Sequence, residues 1–470
     1  MIRFKVLNPR RLLVAAFSFS FAYLLSFLFE GQVLYGLLET RGVNASGYIL
    51  GAMISHFMGL VSCGLFVKSR SAAKNIMLCG IGICLVAAVP FFFTPSFLWM
   101  GGLIISGYFS GCGVAAWGFF LRDFTPKNER IKSCADVLIY SNLLMIGINV
   151  VAINCSPVIG LALALLCLVF GMVFILMLPA EKGNDQDESI KSKPRGGIKN
   201  PLVLLCLFIF IITINSGLMY QVINPAFKHL TELTSWYWAV PYIAALVIMR
   251  NLPVKAKRSK IMYIGMAMIM GAFISFMVLK RNTADYLIVD TLMLGACGIF
   301  DLFWWSILGE MLDYCKNPSL TFGIGLSANV FGVLCGGVLG IAVTAIKLPG
   351  AEVAVIALTL VCVTLVMLPP LNTRLVLLLK NHVYLAAYDN MSRSQQTAVV
   401  GGIKTLDPLT VREQEVLQQI LLGKSNRKIA SDLFISESTV KTHTRNIFSK
   451  YDVTSRAELI STLLKNQNVE

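Results

Sequence analysis

The residues best suited to chemistry stand near the C-terminal end, where Lys441 and Arg445 are one helical turn apart with Thr442 between them. An ammonium and a guanidinium at i and i+4 share one helix face and can donate to guanine O6 and N7. Ser436, Thr439 and Lys450 lie along the same segment, and Asn426 and Arg427 precede it. Hydroxyls, cations and a helix N-terminus are the groups that hold phosphate. A second set lies in strongly apolar sequence: Asp290 and Asp301, then Trp304 and Trp305, with Trp236 and His56 in other apolar runs. Ionisable side chains in such surroundings are costly and tend to face a cavity or a partner. Carboxylates with aromatic walls suit a cationic, phenolic or otherwise aromatic ligand. The same residues also admit a plain reading, in which Trp236 belongs to an interfacial belt, Asp290 and Glu30 sit near the outer membrane surface and His56 is a packing residue. No nucleophile and base pair, glycine-rich phosphate loop or metal-ligand spacing accompanies them, so neither an enzyme nor a metal or other cofactor is expected. The 12 cysteines are scattered through apolar sequence without paired spacing and read as small core residues.

These side chains need a scaffold, and composition says which kind. Of 470 residues, 56% are apolar and 14% charged, with a net charge of +15; the mean hydropathy is +0.72. A soluble chain of this size needs about 25% charged residues, so this is membrane composition. Runs of about 20 apolar residues, long enough to cross roughly 30 Å of hydrocarbon, fall at 12–30, 46–67, 75–93, 97–120, 134–154, 157–178, 201–223, 234–249, 261–279, 286–308, 320–346 and 351–371. Pro241 and short length make the eighth the weakest. A polar loop at 179–200 divides the twelve into halves, 1–178 and 201–371. With the N-terminus inside, the inner segments up to residue 371 carry 22 Lys and Arg and the outer loops carry 5. That asymmetry predicts a membrane protein with both termini cytoplasmic, and it accounts for most of the net charge. Asp290 and Asp301 then share a face of the tenth span, about 16 Å apart.

The six-plus-six arrangement with a central loop resembles the major facilitator superfamily over residues 1–371. Such a resemblance implies a polytopic helical bundle with a ligand pocket near the midplane. The superfamily's loop element, Gly-x-x-x-Asp-Arg/Lys-x-Gly-Arg/Lys, would fall on Gly64–Lys74, where Lys68 stands in place of the Asp and no second Gly follows. That departure weakens the implication of transport while leaving a pocket.

Beyond a linker at 372–404, residues 405–470 read as a soluble four-helix segment. Thr410 and Glu413 form a capping box ahead of an apolar stripe, and Gly423 closes that helix. A short helix follows around Asn426–Leu433, a turn at Phe434–Ser436, a polar helix over Glu437–Lys450 and a fourth over Ser455–Lys465. Two helices joined by a tight turn, the second rich in Lys, Arg, Thr and His, are what a helix-turn-helix needs. The string from Leu409 to Ile460 resembles the LuxR-type helix-turn-helix along its whole length, matching at Leu409, Thr410, Glu413, Gly423, Asn426, Ile429, Ala430, Ser436, Thr439, Val440, Lys441, Asn446 and Ile447. Tyr451 departs from the usual aliphatic, a change expected to affect packing. The resemblance implies that Lys441, Thr442 and Arg445 face base edges, that Ser436, Thr439, Lys450, Asn426 and Arg427 meet the backbone, and that the fourth helix forms a homodimer on DNA.

The whole therefore reads as an all-α, membrane-embedded one-component transcription regulator. Its partners are promoter DNA, the lipid bilayer and a small-molecule inducer of aromatic character. The alternative is a secondary transporter with a regulatory DNA-binding tail.

Overall fold

The computed structural model describes residues 8–29, 31–43, 45–179, 199–234, 236–252, 258–346, 348, 350–389, 409–451, 453, 456 and 459. Among them there is no β-strand. By its contacts the chain divides into two units, Met1–Asp185 with Val203–Leu368, and Gln186–Leu202 with Pro369–Glu470.

In the first unit α1 (Pro9–Tyr23) runs into a π-helical turn and is followed by α2 (Gln32–Glu39). Next come α3 (Ala45–Phe66), α4 (Arg70–Ala87), α5 (Phe97–Phe124), α6 (Arg130–Asn154) and α7 (Pro157–Met177). The second half holds α8 (Lys199–Leu218), α9 (Ala239–Arg250), α10 (Arg258–Val278), α11 (Thr283–Met311), α12 (Pro318–Ala345) and α13 (Gly350–Asp389). Eleven segments among the described residues are long and apolar enough to cross a membrane, and they follow the expected runs closely. The eighth does not. Within the 234–249 run, residues 236–238 form a turn and the twelve-residue helix α9 follows, about 18 Å of helix that packs against α6 and α11. Trp236 to Trp238 occupy the turn, so the aromatic residues that lengthened the apolar run are outside the helix. The expected central loop lies outside the described residues except at its ends, as does Glu30. The last span continues through the start of the expected linker as one helix to Asp389, with Pro369 and Pro370 inside it.

Helices that share one solvent gain little from segregating apolar side chains, so close backbone approach becomes important. A Cβ on Gly59 of α3 would stand 2.1 Å from the Tyr108 carbonyl oxygen of α5, and one on Gly111 of α5 would stand 2.3 Å from the His56 carbonyl oxygen of α3. Each glycine admits the other helix's backbone. Between the halves α12 packs on α3 and α5, while α9 and α11 pack on α6.

The second unit includes α14 (Val411–Leu421), α15 (Asn426–Asp432) and α16 (Glu437–Lys450). All three begin at a capping hydroxyl. Thr410 and Glu413 make the expected reciprocal box, Ser425 accepts from the Lys428 N–H and Ser436 from the Thr439 N–H. Gly423 takes a positive φ of 70° after α14. Val416, Leu417, Ile420, Leu421, Ile429, Val440 and Ile447 form the core with Tyr451, Val453 and Leu459. Tyr451 is thus a packing residue. The expected fourth helix lies outside the described residues apart from Arg456 and Leu459.

Candidate nucleic-acid interface and membrane site

The outward face of α16 follows from its inward one. Val440 and Ile447 are buried, which turns Ser438, Lys441, Thr442, Arg445, Asn446 and Ser449 outward, all of them exposed. Their spacing is a single helical stripe. Lys441, Thr442 and Arg445 were expected there, whereas Ser438, Asn446 and Ser449 were not, although the same 3.6-residue period locates them once Val440 and Ile447 are known to be core. Lys441 Nζ stands 3.5 Å from Glu437 Oε1, with both side chains about half or more exposed (65% and 47%); such a pair contributes about 0.3–0.5 kcal/mol and leaves the ammonium free to exchange partners. The Thr442 hydroxyl donates to the Ser438 carbonyl at 3.1 Å. Ser436 Oγ is 2.7 Å from Thr439 Oγ1, so both hydroxyls cluster at the N-terminus of α16, where backbone N–H groups and the helix dipole favour an anion. Arg427 is exposed and Asn426 half-buried in the first turn of α15. His443 is half-buried, and the described residues hold no cluster able to bind a metal ion.

Lys450 has a structural partner. Its ammonium donates to Glu413 Oε2 at 2.8 Å, and the same oxygen accepts the Thr410 N–H at 2.9 Å. Burial pushes the Glu413 carboxyl up, but Lys450 and the two Thr410 donors outweigh it and hold the carboxyl below its ordinary value. Lys450 thereby ties the end of α16 to the start of α14. Two arginines that match the LuxR-type pattern, but to which the sequence assigned no role, do similar work. Arg412 donates to the Leu433 carbonyl at 2.6 Å, and Arg456 reaches the Ile420 and Lys424 carbonyls at 2.9 and 2.7 Å. Both donate to carbonyls at or just beyond a helix end.

In the bundle, the six candidate residues are dispersed. Asp301 accepts the Tyr242 hydroxyl of α9 at 2.6 Å. Trp304, three residues on, stacks on Phe300 at 6.3 Å. Neighbouring Trp305 points about 100° away around the helix and joins Phe17 and Phe21 of α1, Trp117 of α5 and Phe322 of α12. Asp290 is buried. His56 stands edge-on to Phe29 at 4.6 Å. Trp236 is 45% exposed and T-shaped against Tyr237. One carboxylate-walled pocket was expected; instead Asp301 and Trp304 share one turn of α11, Asp290 and Trp236 are joined through Tyr286 and Tyr237, and Trp305 and His56 lie among other rings.

What sequence reasoning missed is the seam between the halves. At one end of the bundle Arg130, 3% exposed, donates to Asp313 at 2.7 Å and to the Gly309 carbonyl at 2.9 Å. Lys127 adds contacts to Asp313 at 3.3 Å and the Tyr314 hydroxyl at 3.1 Å. Arg250 of α9 meets Asp136 of α6 at 2.5 Å. The Asn317 amide donates to the carbonyls of Gly64 and Val67 at 2.7 and 3.0 Å. Those carbonyls stand at the C-terminal end of α3, so the link between α3 and α12 is made there by a neutral amide. Alongside these polar ties lies the ring layer in which Phe17 stacks on Trp117 at 4.5 Å and Trp117 meets Trp305 at 5.8 Å.

Comparison with known proteins separates the two units. Residues 407–463 match the family "Bacterial regulatory proteins, luxR family". The C-terminal segment is a luxR-family helix-turn-helix domain. It is 59% identical over 51 residues to a nitrate/nitrite response regulator protein homolog of Haemophilus influenzae, covering 11% of this chain and 24% of that protein. It is 51% identical over 53 residues to the CsgBAC operon transcriptional regulatory protein of Escherichia coli, again 11% of this chain and 24% of that protein. The chain thus spans about a quarter of the length of these relatives. The membrane unit shares its fold with the human organic anion transporter MFSD10, at a TM-score of 0.56 and 15% identity over 78% of this chain and 98% of that one. It also matches the major facilitator proton:xylose symporter XylE, at 0.57 and 12% over 77% and 94%. A luxR-family DNA-binding domain and a transporter-like membrane fold therefore coexist in one chain.

Proposed function

We propose that this chain is a membrane-embedded one-component transcription regulator, in which a small molecule bound by the helical bundle controls sequence-specific DNA binding by the luxR-family domain. The observation that carries the reading is the fusion itself: an exposed face of Lys441, Thr442 and Arg445 on a capped recognition helix, covalently continuous with a transporter-like bundle. The 22-to-5 asymmetry of Lys and Arg supports a bacterial cytoplasmic membrane with both termini inside, the compartment that holds DNA. Residues 1–371 are the sensor, 372–404 the linker and 405–470 the DNA-binding domain, which pairs through its fourth helix on an inverted repeat. A ligand acts by binding two states of the bundle unequally, and the seam at Arg130, Asp313 and Trp305 is where such states would differ.

The Asp301 and Tyr242 pair, a half-buried acid and a buried phenol inside a transporter-like fold, favours a second reading: a secondary transporter whose tail reports uptake. The test measures expression of neighbouring genes across a panel of metabolites, with and without this protein, beside substrate flux in vesicles. Ligand-dependent expression without flux establishes the sensor. Flux abolished by Asp301→Asn establishes the transporter, and no ligand-dependent difference in expression sinks the sensor.

A further inference from the structure

Asp290 lies two turns into α11, 6% exposed, and its Oδ2 has no hydrogen-bond partner among the described residues. The Tyr286 hydroxyl, one turn earlier, is within hydrogen-bonding reach of the carboxylate, and no Lys, Arg or His among the described residues offsets its charge. A carboxylate left half-satisfied inside a span is costly, so the position calls for a donor that carries positive charge. Around it runs a line of rings. Phe227 stands 5.3 Å from Tyr286, Tyr286 6.1 Å from Tyr237, and Tyr237 5.8 Å from Trp236. The far end of that line already seats a cation: the Arg281 guanidinium lies 4.7 Å over the Phe276 ring, which meets Phe227 at 6.3 Å. Trp236 and Tyr237 belong to the turn ahead of α9, and a 2.8 Å hydrogen bond between the Tyr237 and Thr291 hydroxyls ties that turn to α11 beside Asp290. Trp236 is 45% exposed, so the rings lead from the surface to the carboxylate.

We propose that Asp290 and the rings of Tyr286, Tyr237 and Trp236 bind the head of a primary alkylammonium ion. Its N–H groups donate to the open oxygen, its charge offsets the carboxylate, and the ring faces stabilise the rest of the head. A neutral alcohol can satisfy the oxygen but leaves the charge uncompensated. A divalent metal ion needs about six oxygen ligands, and the described residues hold no cluster able to bind one. Only the ammonium head enters, beneath the turn that Tyr237 ties down, and it needs room for one nitrogen; the alkyl chain follows Trp236 toward the surface. On the proposed orientation this end of α11 faces outside, so the ion arrives without crossing the bilayer. The binding site stands by itself; control of DNA binding by its occupancy rests on the sensor reading.

The test uses the full chain in nanodiscs of zwitterionic lipid with n-butylammonium chloride as the probe. Binding is read as a saturable rise in unfolding temperature above that in sodium chloride of equal ionic strength. Asp290→Asn keeps the shape and removes the charge, and should weaken the apparent affinity at least about tenfold. Tyr237→Leu removes one ring and leaves the carboxylate, and should weaken it about two- to fivefold. That variant keeps the comparison readable if Asp290→Asn does not assemble. Butan-1-ol, the uncharged match in size, should give no saturable rise. An Asp290→Asn variant that responds as the parent does makes Asp290 a neutral structural acid and overturns the proposal. So does butan-1-ol equal to butylammonium, or sodium or potassium chloride that produces the same saturable rise. Loss of the response in Asp290→Asn with inducer-dependent expression unchanged upholds the site and takes the sensing role from it. Butylammonium binding in a chain that shows no inducer-dependent expression sinks the sensor and keeps the site, so the two fail separately.

Discussion

The luxR-family domain and the membrane bundle solve the same problem, holding helices together, with opposite means. In the domain a cluster of apolar side chains fills the interior and every described helix starts at a capping hydroxyl. In the bundle apolar residues also face outward, for example Val86, Phe97 and Val366, so burying them distinguishes nothing. Cohesion falls instead to glycines that admit a neighbouring backbone and to polar ties such as Arg130 with Asp313. Water rewards segregation of apolar groups; hydrocarbon does not, and leaves packing and internal hydrogen bonds to decide.

That contrast can be broken at the seam first. Arg130→Ala strips the main partner from Asp313 and should destabilise the bundle by about 3–5 kcal/mol, read as a lower unfolding temperature in detergent. Arg130→Met with Asp313→Leu should recover most of the loss, because an apolar pair leaves no charge unpaired. If Arg130→Ala unfolds like the parent, the seam is held by the rings alone. Next in size is Leu417→Ala, in the interior of the domain, expected to cost about 2–4 kcal/mol. It should abolish the gel shift of the full chain on its operator while the bundle melts unchanged; a coupled loss of both would mean that the two units do not fold independently.

Removing the outward cations should cost less and leave the fold intact. Lys441→Ala with Arg445→Ala is expected to weaken specific binding by about 1–3 kcal/mol per lost base contact, and to flatten its dependence on salt. Retained footprints in that variant would refute the base-reading role. Smallest is Glu413→Gln, which keeps the shape of the capping box but loses its ion pair with Lys450, at about 1 kcal/mol. Because Glu413 is held below its ordinary value, its contribution is present above the unfolded pKa and fades as pH falls through the lower folded one. Urea denaturation at neutral and acidic pH should therefore separate parent from variant at neutral pH and merge them in acid.

The C-terminal region was legible almost residue by residue. Thr410, Glu413, Gly423 and Ser436 are local signals, decided within a turn of helix, and each appears where the spacing places it. In the bundle the runs were legible and their meetings were not. Trp304 and Trp305 are adjacent in sequence, yet one packs on Phe300 of its own helix and the other joins rings of α1, α5 and α12. The eighth run becomes α9 only from Ala239 onward, because Trp236 to Trp238 are as apolar in a turn as in a helix.

The sequence by itself determined which segments are apolar enough to enter a membrane, where the soluble helices begin and which face of α16 turns outward. Each depends on a period of a few residues or on a cap beside its own helix. Only the tertiary structure decided that Asn317 closes on Gly64, that Arg130 finds Asp313, and that Phe17 and Phe21 meet Trp305. Those partners lie 183 to 288 residues apart in the chain. No local pattern encodes such meetings, because in hydrocarbon they rest on the fit of particular surfaces.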